Sequence, residues 1–304
     1  MTINDLEKDV SLFNYTTLRS KCVAQYFYIA KTKQEIIDLF NLSKDQKIKF
    51  IILGGGSNIA LLSDYINGIV VKNQYITKKL VDKTPERVLY KVSSGYPTTK
   101  LVTETVNEGL EGLEYHQGLP GNIGGAIYMN SKWTNPVDYF GDHLLRASLL
   151  SKDGKLKTVD KKYFKFAYDY SILHDTGEIL LDATFEFKRK NKEFLIKRAQ
   201  DALKYRKKTQ PFGVFTSGCF FRNISDKEKN DKKLPTNSAG YLIDKTGLKG
   251  KKIGGFIVSD NHANFIINDG SGKPKDLNNL MKLIKTKVKE KFGIELKEEV
   301  VLIN

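Results

Sequence analysis

In Gly54-Gly55-Gly56-Ser57-Asn58, three bare glycine N–H groups stand beside a hydroxyl and a carboxamide. Such a run suits an anion, a phosphate above all, because several main-chain donors can converge with no Cβ in the way. A second run, Gly118-Leu119-Pro120-Gly121-Asn122-Ile123-Gly124-Gly125-Ala126, has four glycines and one polar residue in nine positions. A solvent linker would carry Ser, Lys or Glu instead. Pro120 fixes one φ and removes a donor, so the loop is stiff. Stiff, apolar and glycine-dense, it is suited to backbone contact with something large. Other accounts stay open at this point. A strand-ending turn explains 54–58 nearly as well, and a buried tight turn explains one or two of the four glycines.

The elements around these runs follow from periodicity and capping. Thr32-Lys33-Gln34-Glu35 is a capping box leading into Ile36, Ile37, Leu39 and Phe40 on one helical face. Ile48 to Leu53 reads as a strand that delivers the first glycine run. A helix is expected over Thr98 to Glu108, with Gly109 past its end. Asp153-Gly154 between two apolar runs signals a hairpin. Asn191 can cap a helix through Tyr205 that turns Leu195, Ala199, Ala202 and Leu203 inward, before Pro211 breaks the chain. The all-polar stretch Ser225 to Lys233 reads as an exposed loop. Leu277, Leu280, Met281, Ile284, Val288 and Phe292 share one helical face closed by Gly293, and Val300 to Ile303 reads as a last strand.

Two nucleotide fingerprints fail on this pattern. A Rossmann turn at 54 needs glycine at position 59 and a helix directly afterwards; Ile59 and a turn-strand pattern follow instead. Gly272-Lys273 is no P-loop, because Pro274 replaces the Ser or Thr and position 267 is Ile.

Composition bounds the class. With 304 residues, 40% hydrophobic, the chain can bury a sizeable core in two or three domains. Breaks near Lys72 and Pro211 divide it into 1–72, 73–209 and 210–304. The formal net charge is +15, yet the lysines are dispersed and no arginine-rich tail is present. Nucleic acid is therefore not expected as a partner, whereas a positive field favours a small polyanion such as a diphosphate. No apolar run is long enough to span a bilayer, so no membrane insertion is expected. Met1 to Asp9 lacks the basic-then-apolar pattern of a signal peptide. Cys22 and Cys219 are the only cysteines, which fits a reduced, cytoplasmic setting without disulfides. No metal is expected, and the chain is read as a monomer acting on small molecules.

In order along the chain, these runs resemble the UDP-N-acetylenolpyruvoylglucosamine reductases, the MurB family. Asn14-Tyr15-Thr16-Thr17-Leu18-Arg19 is similar to the family's opening segment. Leu53 to Asn58 resembles its first flavin loop, and Gly112-Leu113-Glu114 with 118–126 and Met129-Asn130 resembles its second. Ser217-Gly218-Cys219-Phe220-Phe221-Arg222-Asn223 resembles the segment that carries its proton donor. Ala239 to Asp244, Ile253-Gly254-Gly255 and Val258 to Phe265 follow its third domain. Phe292-Gly293-Ile294-Glu295-Leu296 with Glu299-Val300 matches its C-terminal signature.

The resemblance implies an α+β architecture. It combines an FAD-binding fold of the vanillyl-alcohol-oxidase type, in two subdomains, with a C-terminal α+β substrate-binding domain. It also implies non-covalent FAD, NADPH as reductant and a UDP-sugar substrate. The enolpyruvyl ether would be reduced to a lactyl ether in peptidoglycan synthesis. Gly54, Gly55, Gly56, Ser57, Asn58, Gly118, Pro120, Gly121, Gly124 and Gly125 would contact the cofactor. Tyr168, Arg206, Gln210, Arg222 and Asn223 would contact the substrate. Cys219 stands where many members carry a proton-donating serine. An ordinary thiol, with a pKa of about 8.5, is a competent acid at neutral pH. Glu299 matches the catalytic glutamate, with Glu298 one register away.

One departure concerns charge. The family reads Tyr-Arg-x-Ser where this chain has Tyr168-Asp169-Tyr170-Ser171. Losing a cation at a developing enolate typically costs ~3 kcal/mol, or ~100-fold in rate. Another cation such as Arg206 or Arg222, a local misalignment, or a different substrate with weak activity would each account for it. Lys21-Cys22, Ser131-Lys132, Ile224 and Asn261 depart from the pattern too. The alternatives are a same-fold flavin oxidoreductase with another substrate, or a non-catalytic FAD- or nucleotide-binding protein.

Overall fold

Ile179–Arg189 buries its first seven residues without a break, as an apolar run covered on both faces must. Its one buried carboxylate among them, Asp182, meets the Tyr75 hydroxyl at 2.8 Å and the ammonium groups of Lys33 and Lys91 at 3.3 and 3.4 Å. In the computed structural model, which describes residues 1–304, this strand is the centre of a six-stranded sheet. Leu144–Leu150 and Arg87–Ser93 flank it in antiparallel register. Leu156–Asp160 and Lys78–Lys83 lie outside them, and Leu110–Glu111 pairs with its far end. The expected hairpin at Asp153-Gly154 joins Leu144–Leu150 to Leu156–Asp160, with Arg146 opposite Asp160.

The chain divides into two compact units. The first comprises Met1–Lys8, Tyr26–Gly55 and Asn67–Lys208. It holds the six-stranded sheet and a core in which Phe140, Phe164, Phe185 and Phe187 are fully buried. A second core of this unit packs Ile36, Leu39, Ile69 and Val71. The helix Lys33–Asp45 starts at the Thr32–Glu35 capping box, in which each side chain bonds the other's backbone N–H. Lys49–Leu53 runs parallel to Tyr65–Asn73, with Leu53 opposite Lys72. Thr98–Asn107 forms the expected helix, followed by Gly109 at φ +70.

The helix after Asn191 spans Lys192–Thr209, four residues beyond the expected end. Nothing before Pro211 stops it, and Arg206 adds a buried position to the face that already holds Leu195, Ala199 and Ala202.

The second unit comprises Asp9–Gln25, Gly56–Ile66 and Thr209–Asn304. Its core gathers Leu18 and Ala60 with Phe220, Phe221, Leu242, Phe256 and the buried face of the long helix Pro274–Phe292. Gly293 ends that helix at φ +65. Val301–Ile303 pairs in parallel with Ile59–Leu61. The polar stretch expected as a loop contains a short exposed helix, Asp226–Asp231. A capping box, Ser225 with Glu228, starts it, so local side-chain bonds supply what packing does not. No helix is long and apolar enough to cross a membrane.

Candidate functional site

The first glycine run leaves the strand Lys49–Leu53. Beside it, Lys72 donates from Nζ to the Gly54 carbonyl at 2.5 Å, and burial pushes the Lys72 pKa down. The second run lies against the first. A Cβ on Gly54 would strike the Asn122 side chain, and one on Gly55 would strike Cα of Gly121. Main chain therefore meets main chain, with Gly121 at φ +102, a conformation that suits glycine.

Hydrogen bonds fix the second run on its other side. The N–H groups of Ile123 and Gly124 donate to the carbonyls of Tyr96 and Ser94 at 3.0 and 2.8 Å, and Thr98 N–H donates to the Gly121 carbonyl at 3.1 Å. Asn122 caps the short helix Ile123–Tyr128, its Oδ1 accepting from Gly125 N–H at 3.2 Å. Gly118, half-buried at φ +80, lies 3.6 Å from Cδ of Arg206, measured from the position its Cβ would take. Gly55, Pro120 and Gly125 are exposed. Bare main chain facing outward at 55 and 125, with side chains excluded at 54 and 55, fits a large phosphate-bearing cofactor. Cα–H groups can then approach it closely.

Gly56, Ser57 and Asn58 belong to the second unit. The Thr17 N–H and hydroxyl both donate to the Gly56 carbonyl, at 3.0 and 3.2 Å. Asn58 donates from Nδ2 to the Glu299 carbonyl at 3.3 Å, and its own carbonyl accepts from Val301 N–H at 2.9 Å. The segment carrying Cys219 runs alongside. Glu299 N–H donates to the Phe220 carbonyl at 2.9 Å, Arg222 N–H to the Lys297 carbonyl at 2.8 Å, and Cys219 bridges Phe265. Asn264 secures the turn through Oδ1 to Phe221 N–H and Nδ2 to the Phe221 carbonyl, at 3.0 and 2.8 Å. Asn58, Cys219 and Glu299 thus share one patch of backbone.

Cys219 and Glu299 are both half-buried. The neighbouring Glu298 is held by Lys285 at 2.8 Å, which separates the two adjacent acids by partner. Asn223 Oδ1 accepts from Ala239 N–H at 3.0 Å and so helps start the helix Ala239–Lys245. Gln210 is half-buried just past the end of Lys192–Thr209.

In the first unit, Tyr168 and Asp169 form the tip of a tight turn closed by reciprocal bonds between Ala167 and Tyr170, at 3.1 and 3.3 Å. Asp169 is buried at φ +49. Asn130 ties this turn to its surroundings, donating to the Ala167 carbonyl at 3.0 Å and accepting from Gly141 N–H at 3.1 Å. Lys132 Nζ lies 5.2 Å from the Tyr168 ring centroid and 5.8 Å from that of Tyr139. Burial, and then the charge of Asp169, push the Tyr139 pKa up. Arg206 is 8% exposed, its guanidinium lies 5.3 Å over Trp133, and its Nε has no hydrogen-bond partner. Burial lowers its pKa.

Close by, Asp138 accepts from two imidazoles. Its oxygens lie 2.9 Å from His116 Nε2 and 3.0 Å from His143 Nε2. Burial opposes the Asp138 charge, but these two bonds outweigh it and bring its pKa down to about 2. Burial pushes the His116 pKa down as well. Its contact with Asp138 is therefore a hydrogen bond from a neutral ring rather than an ion pair.

Lys72 and Asn122 have no site role in the sequence reading, and Lys132 enters it only as a departure from the family pattern. Asn122 carried a signal, since asparagine directly before a short apolar run is a helix cap. The positions of Lys72 and Lys132 depend on strand register, which no local pattern gives.

Comparison with known proteins agrees across the whole length. Residues 210–303 match the family model of the UDP-N-acetylenolpyruvoylglucosamine reductase C-terminal domain, and residues 24–160 match that of the FAD binding domain. The chain is 33% identical to the UDP-N-acetylenolpyruvoylglucosamine reductase of Bacillus subtilis over 293 residues, covering 96% of this chain and 92% of that one. It is 34% identical to the Bacillus licheniformis protein of the same name, with the same coverage. The crystal structure of the reductase from Thermus caldophilus superposes with a TM-score of 0.78 at 28% identity, covering 98% of this chain and 99% of that one. A VAO-type flavoprotein of Myceliophthora thermophila shares the fold at a TM-score of 0.51 and 8% identity, covering 88% of this chain and 70% of that one.

Proposed function

The chain belongs to the UDP-N-acetylenolpyruvoylglucosamine reductase family, and from that premise we propose its reaction. It reduces the enolpyruvyl ether of UDP-N-acetylglucosamine to the lactyl ether of UDP-N-acetylmuramate, as a cytoplasmic step of peptidoglycan synthesis. NADPH is the reductant, and FAD is held without a covalent link. Residues 1–72 and 73–209 form the two flavin-binding subdomains, and 210–304 the substrate-binding domain. The observation that carries the reading is the likeness at 96% coverage, together with two glycine runs packed backbone to backbone.

The glycine runs would hold the flavin, which when bound would supply the hydride needed at the terminal carbon of the enolpyruvyl group. Negative charge then gathers on the carbon bearing the ether and on the carboxylate. The chain must stabilise that charge and deliver one proton. Cys219 holds the proton at Sγ and gives it to the ether-bearing carbon. Glu299, fixed beside it through the Phe220 carbonyl, orients the substrate's carboxyl end. Gly54, Gly55, Gly118, Pro120, Gly121, Gly124 and Gly125 supply main-chain contacts to the cofactor, with Gly56, Ser57 and Asn58 supplying donors. Tyr168, Arg206, Gln210, Arg222 and Asn223 contact the substrate.

The decisive test is NADPH oxidation by the purified protein, with and without the enolpyruvyl substrate. Consumption that depends on this substrate and yields UDP-N-acetylmuramate supports the proposal. Flavin that NADPH reduces but the substrate never reoxidises would overturn it. That outcome would favour the second reading, prompted by the aspartate at 169: a same-fold flavoenzyme with another acceptor.

A further inference from the structure

We propose that Lys132 supplies the positive charge that faces the substrate's carboxylate end in this chain. The inference rests on the function proposed above and concerns the same site. The reaction places negative charge on the enolpyruvyl carboxylate and its adjoining carbon, so a cation is required nearby. Asp169, at the tip of the Tyr168–Asp169 turn, has the wrong sign. Arg206 is 92% buried, so it has less of its charged head to offer an arriving anion than the half-buried Lys132.

Lys132 is placed differently. It lies on the short strand Lys132–Thr134, directly opposite Tyr139 of Val137–Tyr139. Its ammonium stands over the rings of both Tyr168 and Tyr139, within cation–π range of each. It is half-buried, and the partners of its ammonium are these two rings. Two residues earlier, Asn130 sits in the left-handed region at φ +46 and bonds the Ala167 carbonyl. The same short segment therefore fixes both the Tyr168–Asp169 turn and the start of the strand that carries the ammonium. Aromatic faces hold a cation without neutralising it, so the charge stays available to an arriving anion.

The test compares two ligands that share the UDP moiety and differ in the carboxylate. UDP-N-acetylmuramate carries the lactyl carboxylate, and UDP-N-acetylglucosamine does not. Calorimetric titration of the FAD-loaded protein reads the preference for the first over the second. Lys132→Met keeps the apolar stem and removes the charge. It is expected to cut that preference by about tenfold or more, leaving the affinity for UDP-N-acetylglucosamine and the flavin content unchanged. Lys132→Arg should keep most of the preference. In single-turnover reoxidation, Lys132→Met should slow the substrate step by about 10- to 100-fold without slowing flavin reduction by NADPH.

Equal weakening of both ligands would place Lys132 at the diphosphate and overturn the proposal, as would no change in either. If the wild-type protein binds neither UDP-sugar, the proposed function itself fails, and the two failures are told apart.

Discussion

The glycine loops and the patch around Cys219 solve opposite problems. At Gly54 and Gly55 the surface proposed for the cofactor is main chain, and it stays bare because a Cβ would collide with Asn122 or Gly121 of the opposite loop. Around Cys219 the groups proposed for catalysis are side chains, and the backbone beneath them is pinned through Phe220, Asn264 and Glu299. The first kind of site breaks when atoms are added. The second breaks when atoms are removed and leaves its scaffold intact. Flavin content and turnover should therefore respond to different substitutions.

The largest effect on turnover is expected from Cys219→Ala. It should leave flavin content and flavin reduction by NADPH unchanged and slow substrate reduction by ~10²–10⁴-fold. Equal turnover in a stopped-flow comparison would remove Cys219 from the proton step. Gly55→Ala adds one methyl group against Gly121 and is expected to weaken FAD binding on the order of 100-fold, through the backbone strain it forces. Ultraviolet–visible spectra of the purified variant would read this as lost flavin absorbance. A fully yellow Gly55→Ala protein would end the contrast between the two regions.

The adjacent acids sharpen the comparison within the second region. Glu299→Gln should slow turnover by ~10–100-fold. Glu298→Gln, which touches only the partly exposed pair with Lys285, should leave the rate within about twofold. Similar losses in both variants would mean that the register between them is wrong.

The smallest expected effect is on acid stability. His116 has its pKa lowered by burial from an ordinary 6.5. Below about pH 6.5 the unfolded chain therefore takes up protons that the fold refuses, and stability falls. Asp138 contributes stability above its ordinary 3.8, which is lost as the pH falls towards its folded value of about 2. Melting temperatures measured from pH 7 downward should decline in these two stages, and His116→Gln should flatten the first. A wild-type curve that is flat between pH 7 and 5 would contradict the neutral buried ring.

Sequence made the two glycine runs legible as places of close backbone approach, because glycine lets main chain meet main chain. It also made the caps legible: Thr32 with Glu35, Gly109 and Gly293 mark ends that the fold respects. The α+β fold class is what the family resemblance carried by the ordered runs implies, and the match to the Thermus caldophilus structure agrees with it. The division of the chain was harder to see. Segments 9–25 and 56–66 cluster with the C-terminal unit, and no shift in composition marks them. The helix Asp226–Asp231 was hidden by its polarity, although its Ser225–Glu228 box lay in plain view. Lys72 looks like an ordinary surface lysine, and Lys132 only like a departure from the family pattern, until the register of Tyr65–Asn73 and Lys132–Thr134 shows their neighbours. Local rules read local features, and these two positions are set by partners far along the chain.

The pairing of Val301–Ile303 with Ile59–Leu61 bears on how the protein is made. Asn58 and Glu299 are 241 positions apart when they bond, so this contact closes a very long loop, and contacts of high sequence separation are slow to form. Until Val301–Ile303 arrives, Ile59–Leu61 presents an unpaired edge to other chains. A ribosome-bound chain would hold that edge open until Val301–Ile303 emerges, and an open edge of this kind is a place for a chaperone to cover.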